Sequence, residues 1–302
     1  MQLLEEARRE GEAFVGDAFD AVRGQIGRRV RDSIGLRGSP QPACFDEELS
    51  YLPVAGAARR IHADLPAMLI GGIASLLLQM LHPGAMAGVA DHSRYEEDAL
   101  GRLRLTANFV GITTFGSRTD ALAAVERVRS VHEGVVGFTD ERVPYAANDP
   151  HLLEWVHIAE VTMFLAAARA YGPTTVTSAL ADQYVAEMAI VARDLGIPGP
   201  PMTEVELDAR LEGFRSELRM TDAGRAARNF VLRGVARSPQ DRVTYATIVA
   251  AGVGVLPGWA RRDLEIPALP LVDTFVVRPA VTVAATALRF VLPGPRERDR
   301  TP

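Results

Sequence analysis

The sequence contains no lysine, and all 33 of its basic residues are arginines. This absence excludes catalysis through a lysine Schiff base, a lysine general base or a P-loop lysine. With 38 acidic residues the net charge is −5, and no stretch of the sequence forms a basic stripe that would attract a phosphate backbone. The composition therefore gives no support to nucleic-acid binding.

Cysteine is almost absent as well, since Cys44 is the only one. A single thiol can form neither an intrachain disulfide nor a cysteine-type structural zinc site. The longest apolar run, residues 66–81, is interrupted by Gly71, Gly72 and Ser75 and predicts a buried core helix rather than a transmembrane one. Because the first residues also do not resemble a secretory signal, we expect a cytoplasmic protein without a membrane span.

Apolar residues recur at helical spacing along most of the chain, and capping or breaking residues separate the periodic segments. We expect an all-α fold, a single large bundle-like domain of about ten helices. This domain covers residues 37–292, between an N-terminal amphipathic arm (1–36) and a charged tail (293–302). After a core helix that starts near Leu65, the predicted helices cover residues 103–115, 120–136, 150–171, 179–195, 204–220, 222–233, 240–255 and 272–291.

One histidine lies on the apolar face of the predicted helix 120–136. His132 follows Val128 by four residues and precedes Val135 by three, and Leu122 belongs to the same apolar set. This spacing points the imidazole into the core. A buried imidazole needs partners for both ring nitrogens, so it is either a hydrogen-bonded core residue or a metal ligand. Spacing alone favours the core residue.

Two further histidines have apolar neighbours. His82 precedes Pro83, which interrupts the helix and leaves a kink that is either structural or lines a pocket. His157 shares a helix face with Glu160, and its simplest interpretation is an intrahelical pair with Glu160 or Glu154.

The pair Glu154 and His157 also matches the Glu-x-x-His element of di-iron helical bundles. A di-iron centre needs this element twice, and no other histidine of the chain has a glutamate three residues before it. Two functions remain open as alternatives. One is a non-haem metalloenzyme that uses His82, His157, Glu154 and Glu160, and the other is a non-catalytic protein that binds an apolar ligand.

Several motifs together carry a resemblance to a known family. In order, they are GGIASLLLQMLHPGAMAGVADHSRYEEDALGRLRLT, FGSRTDALAAVERVRSVHEGVVG and DPHLLEWVHIAEV. From Leu65 to the mid-200s the chain resembles the DUF2236 family, the catalytic domain shared by MpaB-type oxygenases and the rubber oxygenase called latex clearing protein. The resemblance implies an all-helical, haem b-dependent oxygenase whose helices enclose an apolar cofactor pocket. It also implies dioxygen or peroxide as the oxidant and a partner that can supply electrons.

The resemblance also implies roles for individual residues. It makes His132 the proximal iron ligand and places Arg102 and Thr106 on the distal side as an R-x-x-x-T pair, with Arg104 as the alternative arginine. A neutral imidazole can bind iron, and a guanidinium can pair a haem propionate or polarise dioxygen. His82 and His157 are expected near the cofactor, either in contact with it or as packing residues.

One position departs from the family pattern. Rubber oxygenases have a lysine directly before the distal threonine, whereas this chain has Leu105. The resemblance then implies an open distal position and an apolar substrate of small or medium size rather than polyisoprene. We expect residues 76–86 and 109–115 to line the substrate pocket.

Overall fold

The structure, a computed structural model, describes residues 43–93, 97–234, 239–267 and 278–291. The predicted N-terminal arm (1–36) and charged tail (293–302) lie outside the described residues. Within them the chain forms twelve α-helices and one two-stranded antiparallel hairpin, so the predicted all-α class is confirmed.

The elements follow one another in this order. The first half contains α1 (Ala57–His62), α2 (Leu65–Gln79), α3 (Pro83–His92), α4 (Ala99–Phe115), α5 (Arg118–Glu133), β1 (Val136–Phe138) and β2 (Pro144–Ala146). The second half contains α6 (Pro150–Tyr171), α7 (Ser178–Leu195), α8 (Glu204–Gly213), a 3-10 turn (Phe214–Ser216), α9 (Asp222–Arg233), α10 (Pro239–Val255), α11 (Gly258–Asp263) and α12 (Arg278–Val291).

The centre of the fold is the pair α2 and α6, which pack more extensively on each other than any other two elements described. Fully buried side chains of both helices, among them Leu77, Trp155 and Ile158, belong to one continuous apolar core. Close packing requires a residue without a side chain at Gly71, where a Cβ atom would stand 2.6 Å from Cδ1 of Phe164. The interrupted apolar run is therefore a buried core helix, as predicted.

Local signals fix the ends of α6. Asp149 accepts a hydrogen bond from the backbone N–H of His151 at 2.9 Å, and Pro150 occupies the first helical position, where its missing N–H costs nothing. At the other end Gly172 leaves the helical conformation and precedes Pro173. Because these signals are adjacent in sequence, the predicted bounds 150–171 are confirmed.

Two predicted helices were too long. The helix predicted over 120–136 ends at Glu133, because Gly134 closes it and Val136–Phe138 pairs with Pro144–Ala146 as a β-hairpin. The helix predicted over 204–220 ends at Gly213 and continues only as a 3-10 turn. The chain leaves the helix there because the N–H of Arg219 donates to the carbonyl of Leu81 at 2.8 Å.

Helices α2 and α3 meet at an angle of 104° across a short break. No single helix among the described residues is both long and apolar enough to cross a membrane. The bent pair formed by α2 and α3 passes that test by length and composition, but most of α2 is buried inside the protein.

Candidate functional site

Helices α4 and α5, which carry the predicted distal and proximal segments, are joined by a short turn. The turn consists of Gly116 and Ser117, and the two helices pack against each other. Arg102 lies 13 residues before the end of α4, and His132 lies 14 residues after the start of α5. At about 1.5 Å per residue, each therefore lies about 20 Å along its helix from the turn.

The part of α4 that carries the predicted distal residues faces the surface. Arg104, Leu105 and Thr106 are exposed, and Leu105 keeps 75% of its surface accessible. The side chain of Arg102 lies outside the described residues. The described residues therefore provide no closed cavity over this segment.

His132 lies at the end of the inward face of α5. Ala121, Val125 and Val128 precede it on this face, whereas Leu122 is 38% exposed. The assignment of Leu122 to the same face was wrong, because at 100° per residue it is rotated by about 80° from His132. The imidazole is half-buried rather than deep in the core.

The ring of His132 has the properties of an available ligand. Its Nδ1 atom is buried and has no hydrogen-bond partner among the residues that the structure describes. Burial lowers the pKa of His132, so the ring is neutral at pH 7 and has a lone pair on one nitrogen. Since no neighbour fixes the tautomer, either nitrogen can take that role.

The backbone after His132 is held against the last turn of α3. Tyr145, on β2, donates its hydroxyl proton to Asp91 of α3 at 2.6 Å, and Nε2 of His92 lies 3.2 Å from the carbonyl oxygen of Val136. The tyrosine ring lies across Gly137 on the paired strand, where a Cβ would stand 2.6 Å from the Tyr145 hydroxyl. The sequence analysis did not predict these contacts between the β-hairpin and α3, because the strands have only three residues each.

We expect Gly137→Ala to destabilise the protein by about 2 kcal/mol, as overpacking of a well-filled site does. The added methyl group displaces the Tyr145 ring and breaks its hydrogen bond to Asp91. Thermal unfolding measures the change. Gly134→Ala is the matched control, because the nearest atom to its Cβ is 3.8 Å away. An equal loss of stability in both variants would contradict the proposed role of the Tyr145–Asp91 hydrogen bond.

His82 lies at the predicted kink, the break between α2 and α3, and it caps α3. Its Nδ1 atom accepts hydrogen bonds from the N–H groups of Gly84 and Ala85 at 3.1 and 3.3 Å and so begins α3. The carbonyl freed at Leu81 accepts from Arg219 instead of remaining open. Burial lowers the pKa of His82, and the nearby Glu217 carboxylate acts in the opposite direction.

The four donors of the non-haem alternative do not come together. Glu154 pairs with Arg210 at 2.9 Å, while His157 is buried with its Nε2 atom unpartnered. In the part of the chain that the structure describes, the three donors close enough to share a metal are His82, His151 and Glu217. Glu154 is already held by Arg210, so it does not join His157 in a shared site.

Sequence reasoning also missed a buried polar network around His62. Its Nδ1 atom lies 2.8 Å from the Thr114 hydroxyl and its Nε2 atom 2.9 Å from the Tyr184 hydroxyl. Burial lowers the pKa of His62 to about 3, so the ring stays neutral. Its sequence context, ARRIHAD, carries no signal of burial because charged residues flank it.

Part of the predicted lining of the substrate pocket is packed. Leu77, Leu81, Met86 and Ile112, which belong to the segments expected to line it, lie in the apolar core. A cavity of about 500 Å³ lies elsewhere, along α9, and none of the predicted site residues borders it. Its lining consists of Ala226, Asn229, Phe230, Arg233 and Gly234.

Comparison with known proteins decides the family. Residues 59–288 match the family described as "ER-bound oxygenase mpaB/B'/Rubber oxygenase, catalytic domain". The chain belongs to this family. No curated protein and no solved structure matches it.

Membership in the mpaB/rubber oxygenase family makes the chain an oxygenase, and the predicted enzyme class is confirmed. An oxygenase of this family suggests a haem or metal cofactor. The neutral, half-buried imidazole of His132 with its unpartnered buried nitrogen fits an axial iron ligand in donor type and charge.

Proposed function

We propose that the protein is a haem b-dependent oxygenase that acts on an apolar substrate of small or medium size, with His132 as the axial iron ligand. The observation that carries this proposal is the unpartnered buried Nδ1 of a neutral imidazole. A buried polar atom without a partner costs free energy in a folded protein and often marks a missing ligand or water. Family membership supports haem in that role.

Arg102, Arg104 and Thr106 are the proposed polar groups that would bind the cofactor and its oxidant. They belong to α4, the helix that precedes α5 and packs against it. A guanidinium can bind a haem propionate in a bidentate manner, and a hydroxyl can donate a hydrogen bond to the oxidant, dioxygen or peroxide. When bound, haem supplies activation of the oxidant, and the protein supplies position and charge.

Exposed apolar side chains close to His132 in sequence support an apolar substrate. Val131, Val136 and Phe138 keep 63%, 55% and 60% of their surface exposed. A contiguous apolar patch formed by such side chains would be typical of a binding site. His82 and His157 have structural roles in this proposal, because one caps α3 and the other is buried in α6.

Absorption spectra of haem-supplemented protein test the proposal. We expect a Soret band in the wild-type protein, in both the oxidised and the dithionite-reduced form, and its loss in His132→Ala because the iron loses its protein ligand. Added imidazole should restore the band in this variant by filling the vacated position.

Glu133→Ala is the control, because Glu133 is the exposed next residue of α5. It should keep the Soret band at full intensity. A haem-replete wild-type protein without a Soret band, or a His132→Ala variant with an unchanged one, would overturn the assignment.

A further inference from the structure

A cluster of three metal-ligating side chains lies outside the proposed haem site. His82 comes from the break between α2 and α3, His151 from the first turn of α6, and Glu217 from the turn after the 3-10 helix. Their donor atoms all lie within 4.8 Å of one another. We propose that His82, His151 and Glu217 bind a divalent first-row transition-metal ion.

The distances suit a shared ion. Nε2 of His151 lies 2.8 Å from Oε2 of Glu217, and Nε2 of His82 lies 3.7 Å from the same oxygen. Two ligands bound at about 2.1 Å to a tetrahedral or octahedral ion stand roughly 3.0–3.4 Å apart. Each of these two distances therefore needs to change by only a few tenths of an ångström to reach that spacing.

The three donor groups are also of the types that bind a divalent transition-metal ion. Two imidazoles and one carboxylate form the facial arrangement that divalent transition metals use when other coordination positions stay open. The Nε2 atom of His82 is buried and has no hydrogen-bond partner, and it lies on the side facing Glu217. His151 is half-exposed and stacks on Phe214 at 4.6 Å between ring centres, so the site has an open side and an aromatic wall.

Metal binding competes with the cap of α3. Nδ1 of His82 accepts from Gly84 and Ala85, so the metal-free neutral ring has its proton on Nε2. When a metal binds Nε2, that proton leaves to solvent and Nδ1 takes one up, so the ring stays neutral and the two N–H groups lose their acceptor. Loss of a typical cap weakens binding roughly fivefold, which a three-ligand site tolerates.

Titration of the full chain with Co²⁺ tests the site through visible d–d absorption. We expect saturable binding by the wild-type protein, weakened by more than about tenfold in His151→Ala and in Glu217→Gln because each loses one ligand. His92→Ala is the matched control, since this exposed histidine lies outside the cluster, and its binding should equal that of the wild type. Amide exchange at Gly84 and Ala85 should accelerate when Co²⁺ is bound.

The same proteins separate this proposal from the haem proposal. His151→Ala should keep the Soret band, and His132→Ala should keep Co²⁺ binding. No d–d band at millimolar Co²⁺, or equal binding by wild type, His151→Ala and Glu217→Gln, would overturn the metal site and leave only the hydrogen bond between His151 and Glu217. A missing Soret band would overturn only the haem proposal.

Discussion

Gly71→Ala is expected to destabilise the protein by about 3 kcal/mol, at the upper end of the range for overpacked cores. The new Cβ would stand 2.6 Å from Cδ1 of Phe164, 3.0 Å from its Cα and 3.1 Å from the carbonyl oxygen of Met163. The aromatic ring can rotate, but the backbone of α6 can move only if the central helix pair separates. Alanine's better helix propensity, about 1 kcal/mol over glycine, offsets only part of this cost.

Gly72→Ala is the matched control, one residue further along α2. The nearest atom to its Cβ is 4.0 Å away, so the helix-propensity gain is not opposed and stability should rise by up to about 1 kcal/mol. Thermal or urea unfolding measures both variants, and Gly71→Ala should lower the melting temperature by roughly 5–10 °C. If the two variants shift in the same direction, α2 and α6 do not cross at Gly71.

Local sequence signals were sufficient for most of the helical fold. The bounds of α6 depend on Asp149, Pro150 and Gly172, and those of α9 on Thr221 and Gly234, all adjacent to the helix ends they fix. Such signals act through hydrogen bonds within a few residues and can be recognised without knowledge of the tertiary structure. The short β-hairpin was not predicted, because Val135 and Val136 fit both helical and strand patterns.

The site was harder to predict because its contacts are distant in sequence. Glu217 lies 66 residues from His151, and Tyr184 lies 122 residues from His62. No periodicity connects such pairs, so only the fold reveals them. The ligand role of His132 came from family resemblance, since its spacing alone favoured a core residue. What the structure adds is that this ring is half-buried and unpartnered at one nitrogen.

Substitution of Glu160 is the second change with a large expected effect on the free energy of unfolding. It lies in the middle of α6, close enough to Tyr184 to raise the pKa of that phenol. Burial raises the pKa of Glu160 from its usual 4.5 to about 7. Between these two values the folded state keeps a proton that the unfolded state has lost, so the free energy of unfolding falls as the pH rises. The full effect is about 3 kcal/mol, an upper limit because the side chain keeps some exposed surface.

Two buried histidines act in the opposite direction. Burial lowers the pKa of His62 to about 3 and that of His157 to about 4, below the usual 6.5. As the pH falls below 6.5 the unfolded state gains protons that the folded state does not, so these residues make the protein less stable in acid. The wild-type pH profile therefore sums opposing contributions, and only the difference between wild type and a Glu160 variant isolates the glutamate.

Glu160→Gln should therefore raise the free energy of unfolding by up to about 3 kcal/mol at pH 8.5. At pH 4.5 it should change it by less than about 0.5 kcal/mol, because there the wild-type carboxyl is protonated in the folded state and half protonated in the unfolded state. Urea unfolding at the two pH values measures this difference. Glu212→Gln is the control, because its side chain is 74% exposed and such a surface change should alter stability by less than about 0.5 kcal/mol at either pH. A gain for Glu160→Gln that is equal at both pH values would show that the amide improves packing and that the carboxylate carries no burial penalty.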